Sequence, residues 1–137
     1  LSEFMPGLGE QTNLPNGGIA RAPGMKYRHY APQAKVLLCP AQQLYETYCQ
    51  HYQRMIESGI EQPKIAVLAT MQGLTGLAQA EYCFLLGENL FQVAQNLFAA
   101  LRWTDDIQAD LVLAEAFPEQ GVGIAIMNRL KKAAGMN

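Results

Sequence analysis

The stretch Pro23-Gly24-Met25-Lys26-Tyr27-Arg28-His29-Tyr30-Ala31-Pro32 gathers more groups able to grip a charged ligand than any other part of the chain. Pro32 disfavours helix at Ala31 and Pro23-Gly24 punctuates the other end, so the residues between are expected to be extended. Side chains alternate along an extended chain, which puts Lys26, Arg28 and Tyr30 on one side and Met25, Tyr27 and His29 on the other. At ~3.3 Å per residue, Lys26 to Tyr30 spans roughly 13 Å, about the reach of a nucleotide. A guanidinium binds phosphate or carboxylate through two hydrogen bonds, an ammonium supplies a point charge, and a tyrosine ring can stack on a base. On composition alone the same residues also fit a solvated basic linker.

Gly121-Val122-Gly123-Ile124-Ala125-Ile126 follows an apolar run and opens a helical pattern. Gly121 and Gly123 are therefore a candidate anion or nucleotide site at a helix N-terminus. Ile126 stands where a dinucleotide fingerprint has its third glycine, and a tight turn packing helix on sheet is the competing reading. Gly73-x-x-Gly76 lacks the following Lys-Ser/Thr of a phosphate-binding loop. His51 has no second histidine beside it, and Asp105, Asp106 and Asp110 read as a solvated turn from helix to strand. Cys39, Cys49 and Cys83 are odd in number and lack C-x-x-C spacing, which fits neither a disulfide framework nor a zinc site. No serine or cysteine stands in a nucleophile setting. These residues point to a binding domain without catalytic residues or a metal of its own.

The elements that must position these groups begin near residue 35. Residues 1–34 hold Pro6, Pro15, Pro23 and Pro32 with five glycines, too many for a helix or a central strand, and are expected to form an extended arm. Leu1 to Phe4, ahead of Met5, read as vector-derived sequence outside the fold. Val36–Cys39 is a short apolar run stopped by Pro40. A helix is expected from Ala41 to about Glu57, its three tyrosines at 45, 48 and 52 packing on the sheet. Further strands are expected at Lys64–Ala69, Tyr82–Leu86 and Leu111–Ala114, with helices at Glu88 to about Trp103 and Gly121–Ala134. The order β-α-β-β-α-β-α with near-continuous apolar strands predicts a three-layer α/β/α domain at 35–137 with a mostly parallel sheet.

The chain has 137 residues, half of them hydrophobic (50%) and 16% charged, enough for one domain with one core. Ten Lys plus Arg against twelve Asp plus Glu leave a net charge of -2. That balance argues against direct, nonspecific nucleic-acid binding. No apolar stretch approaches the ~20 residues that a bilayer needs, and no signal peptide opens the chain. A soluble cytoplasmic protein with no membrane partner is the expectation.

Two stretches together resemble one family: the arm Pro23–Pro32, and the run from Asn96-Leu97-Phe98-Ala99-Ala100-Leu101-Arg102 through Gly121-Val122-Gly123-Ile124-Ala125-Ile126-Met127-Asn128-Arg129-Leu130 to Ala134. They look like the linker and C-terminal domain of Sua5-type L-threonylcarbamoyladenylate synthase. The resemblance implies a Rossmann-like C-terminal domain. Its partner would be a separate catalytic domain of the YrdC type, absent from this chain. That domain condenses L-threonine, bicarbonate and ATP, with Mg expected, into threonylcarbamoyl-AMP, and other tRNA-modification proteins carry the group to tRNA adenosine. The linker would drape over the catalytic pocket, with Lys26, Tyr27, Arg28, His29 and Tyr30 as its gate residues. This chain alone would hold no cofactor and make no product. A freestanding nucleotide-binding module and a protein interaction module are the alternatives.

Overall fold

The computed structural model describes residues 31–77 and 80–136, which belong to one compact unit. The basic-aromatic segment Lys26–Tyr30 lies outside the described residues. Eight elements follow in order: strand β1 (Lys35–Pro40), a 3-10 turn (Ala41–Gln43), helix α1 (Leu44–Glu57), strands β2 (Ile65–Ala69) and β3 (Tyr82–Leu85), helix α2 (Leu90–Asp106), strand β4 (Leu111–Ala116) and helix α3 (Val122–Ala133). The four strands form one parallel sheet in the order β1-β4-β2-β3.

Parallel pairing explains why these strands are apolar throughout rather than alternating. All five residues of β2 and the first five of β4 are buried. Alternation sends Ile65, Val67, Ala69, Leu111 and Leu113 to one face, where Cys39, Leu44 and Leu77 complete the cluster. Tyr48, Tyr52 and Met55 of α1 pack against it. On the other face lie Ala66, Leu68, Val112 and Ala114, all fully buried. Phe84 shares that side through its register with Leu68, and its ring meets Trp103 of α2 at 5.6 Å between centroids. Helices α2 and α3 pack together there, burying Val93, Leu97 and Leu101 with Ile126 and Leu130.

Several local expectations change. Tyr45 does not pack on the sheet; it is 53% exposed, because the apolar stripe of α1 runs through Leu44, Tyr48, Tyr52 and Met55 instead. The first turn after Pro40 is 3-10 rather than α-helical. Strand β4 continues two residues beyond Ala114, through Glu115 and Ala116. Asp105 and Asp106 are not in a turn: they close helix α2, and Asp105 Oδ1 accepts the Gln33 N–H at 2.9 Å. Asp110 ties two strand starts together, its Oδ2 accepting the Lys64 N–H at 2.8 Å and its own N–H donating to Lys64 O at 2.7 Å.

Candidate ligand crevice at the carboxyl edge of the sheet

All four strands run the same way, so their carboxyl ends meet at one edge of the sheet. Neighbours β1 and β4 lead into helices on opposite faces: α1 on the Leu113 side, α3 on the side it shares with α2. Adjacent connections that diverge in this way leave an opening above the strand ends, the usual ligand position in open α/β sheets. Here the opening is a crevice of about 750 Å³ between the residues that follow each strand. Gln42, Thr70, Met71, Asn89, Glu115 and Phe117 are among those that line it.

Glu115 is the unusual residue. It interrupts the apolar strand Leu111–Ala116 and is 5% exposed. The register of β2 on β4 brings the end of β2 alongside it, and the Thr70 N–H and hydroxyl both donate to its Oε1, at 2.9 and 2.8 Å. The Thr70 hydroxyl in turn accepts the Gly73 N–H at 3.3 Å. Gly73 has to be glycine for this arrangement, since a Cβ there would stand 2.5 Å from Glu115 Oε1 and 2.9 Å from Leu44 Cδ1. Among the described residues no side chain pairs with Glu115 as a cation, and nothing donates to its other oxygen. Among the described residues the charged side chains lining the crevice are Glu88 and Glu115, and no Lys, Arg or His lines it.

Helix α2 begins at the crevice wall. Asn89 caps it, its side chain accepting the Gln92 N–H at 2.9 Å, and the Gln92 side chain accepts the Glu88 N–H at 2.7 Å. On the opposite wall the Phe117 N–H is directed at Met127 Sδ at 3.3 Å.

Gly121 and Gly123 stand at the start of α3, and neither lines the crevice. Gly121 has a φ of 55° and a ψ of -131°, a conformation that side chains disfavour. Gly123 packs its Cα against the Pro118 carbonyl, where a Cβ would collide, and its N–H donates to Gln120 O at 2.9 Å. His51 lies on α1, its imidazolium disfavoured by partial burial first, then by Arg54 and Lys35. Burial pushes the Cys39 and Cys83 thiols above their ordinary range, while Cys49 is exposed; all three are free. Among the described residues no three His, Cys, Asp or Glu side chains come together as a metal site, and no helix is long and apolar enough to cross a membrane. Thr70, Asn89 and Glu115 do not stand out in the sequence. The one available signal was an acid following directly on a buried apolar run.

The family model for the C-terminal domain of threonylcarbamoyl-AMP synthase matches residues 3–135. The threonylcarbamoyl-AMP synthase of Pyrococcus abyssi is 40% identical over 121 residues, covering 85% of this chain and 32% of the relative. That of Bacillus subtilis is 37% identical over 131 residues, covering 94% of this chain and 35% of the relative. The crystal structure of P. abyssi Sua5 complexed with L-threonine superposes with a TM-score of 0.65 at 40% identity, over 85% of this chain and 32% of that one. A structure of the same protein with an adjacent histidine and tyrosine both changed to alanine gives a TM-score of 0.64 at 38% identity, over the same shares of the two chains. The chain thus spans about a third of the length of these relatives. Matched by the family model over nearly all of its length, the chain belongs to the family of threonylcarbamoyl-AMP synthase C-terminal domains.

Proposed function

We propose that this chain is the accessory part of a threonylcarbamoyl-AMP synthase acting in tRNA modification in the cytoplasm. Its arm closes over the ATP and threonine pocket of a YrdC-like catalytic domain. The observation that carries this reading is that the family match starts at residue 3 and so takes in the arm together with the α/β domain. One related structure contains L-threonine, and another was made with an adjacent His-Tyr pair removed. Two such pairs occur here, His29-Tyr30 in the arm and His51-Tyr52 in α1.

The chemistry of such a gate follows from the residues. Lys26 and Arg28 offer positive charge to phosphate and carboxylate groups, and in the extended arm expected from the sequence His29 and Tyr30 would fall on opposite sides, so one could meet substrate while the other holds the closed position. Covering the pocket keeps water away from threonylcarbamoyl-AMP, whose mixed anhydride is open to hydrolysis. ATP and its Mg would be held by the catalytic domain, and the α/β domain would give the arm a fixed root. The Gln33 N–H bonded to Asp105 supports that rooting.

In a protein carrying both domains, His29→Ala and Tyr30→Ala should each lower kcat/KM for pyrophosphate release by roughly tenfold or more, with the melting temperature unchanged. Glu61→Ala, an exposed position between α1 and β2, is the control. Normal kinetics in the arm variants, or losses that follow a lower melting temperature, would make the arm a tether only.

A further inference from the structure

We propose that the crevice at the carboxyl edge of the sheet binds a neutral, nucleoside-sized ligand whose hydroxyl groups donate to Glu115. The proposal does not depend on gating by the arm, and it concerns a different place from the Gly121 turn.

Glu115 is almost wholly buried, yet among the described residues only one of its two carboxyl oxygens accepts a hydrogen bond. A buried acceptor with no donor is costly, and natural folds rarely leave one. The surroundings are nevertheless built around this carboxyl: Thr70 gives it two hydrogen bonds, and Gly73 yields the space that any side chain would take. The unused oxygen belongs to a residue lining a crevice of about 750 Å³, within the size range of small-molecule sites.

The lining selects the ligand class. Among the described residues two acids and no base border the crevice, so a phosphate or a free carboxylate would meet repulsion from Glu88 and Glu115. A free amino acid and a nucleoside triphosphate are both disfavoured on that ground. Met71, Leu90, Val93 and Phe117 offer apolar surface for a flat ring, and Gln42 and Gln72 offer amides able to donate and accept at its edge. A carboxyl at a strand end bonding a ribose diol is a recurrent arrangement in doubly wound sheets. A ribonucleoside without phosphate satisfies every group named.

The test uses this chain in solution, titrated with adenosine up to millimolar concentration and followed by amide NMR shifts. Adenosine should shift residues 70–72, 87–90 and 115–118 saturably. ATP and 2′,3′-dideoxyadenosine should each bind at least roughly tenfold more weakly, the first through repulsion and the second through its missing donors. Glu115→Gln should weaken adenosine by a similar factor. Should that variant fail to fold, Met71→Trp decides instead: Met71 is 65% exposed at the rim, and an indole there should block the crevice in a folded protein. No saturable shifts with adenosine, ATP binding as tightly as adenosine, dideoxyadenosine binding equally, or both variants binding like the parent would each overturn the proposal. None of these outcomes bears on the arm, because the catalytic domain takes no part in the titration.

Discussion

Gly73 and Glu115 lie far apart in the chain and depend on each other in the fold. A methyl group at 73 would press on Glu115 Oε1, Leu44 Cδ1 and the Ala69 Cβ, the last at 3.0 Å; the Glu115 oxygen is held by two Thr70 hydrogen bonds, and Leu44 and Ala69 are fully buried. Gly73→Ala should therefore lower stability by about 1–3 kcal/mol, read as a lower urea midpoint with an unchanged slope. An unchanged midpoint would mean that loop 70–76 gives way freely. His51 provides a second case at this scale. Its folded-state pKa is lowered, first by burial and then by Arg54 and Lys35, so the unfolded chain takes up the proton more readily. The stability it contributes is present above its ordinary pKa of ~6.5 and is lost as pH falls through the lower folded value. Thermal melts taken from pH ~7.5 down to ~5 should fall less steeply for His51→Gln than for the parent, and parallel curves would contradict this. Neither relationship could be read from spacing. Glu115 follows an apolar run already long enough for a strand, and an acid there looks like an exit to solvent until the register with β2 sets Thr70 beside it.

Which segments form helices and strands is more legible in the sequence than where the helices end or which faces they turn to the sheet. The sequence places Leu90, Val93, Ala94, Leu97, Phe98 and Leu101 on one apolar stripe of α2; the structure buries Val93, Leu97 and Leu101, half-buries Leu90 and Phe98, and leaves Ala94 exposed. Its start was expected at Glu88, because Gly87 breaks the chain, but Asn89 is the residue whose side chain satisfies an orphan N–H and so begins the helix at Leu90. Asn89→Ala should cost about 1 kcal/mol, and Asn89→Asp or Asn89→Ser should restore most of it. Equal stability of all three would show that the Gln92 contact to the Glu88 N–H alone holds this end. At the other end, two acids before a polar stretch resemble a turn in the sequence, which is why Asp105 and Asp106 read as lying beyond the helix. Helix α2 runs through them, and the Gln33 N–H bonded to Asp105 is a tertiary contact with no local signature. Tyr45 differs from its expected place for a related reason: three tyrosines in one helix look equivalent, whereas Tyr48 and Tyr52 fall on the strip that reaches the sheet and Tyr45 does not.

At the scale of the whole molecule, the alternation of apolar strands and helices was enough to expect a parallel α/β sheet. The strand order was not readable. Placing β4 between β1 and β2 depends on which gaps the helices can cover, and that order creates the divergence above the strand ends where the crevice opens. Lys26 to Tyr30 has no apolar periodicity, and its reading comes from side-chain chemistry and family resemblance. The gate is therefore tested most directly by amide hydrogen exchange across residues 24–32 in a protein carrying both domains, with and without ATP and L-threonine. The account predicts that exchange at these residues slows when both substrates are bound, and slows less in His29→Ala and Tyr30→Ala. Unchanged exchange at 24–32, while amides lining the catalytic pocket become protected, would contradict it.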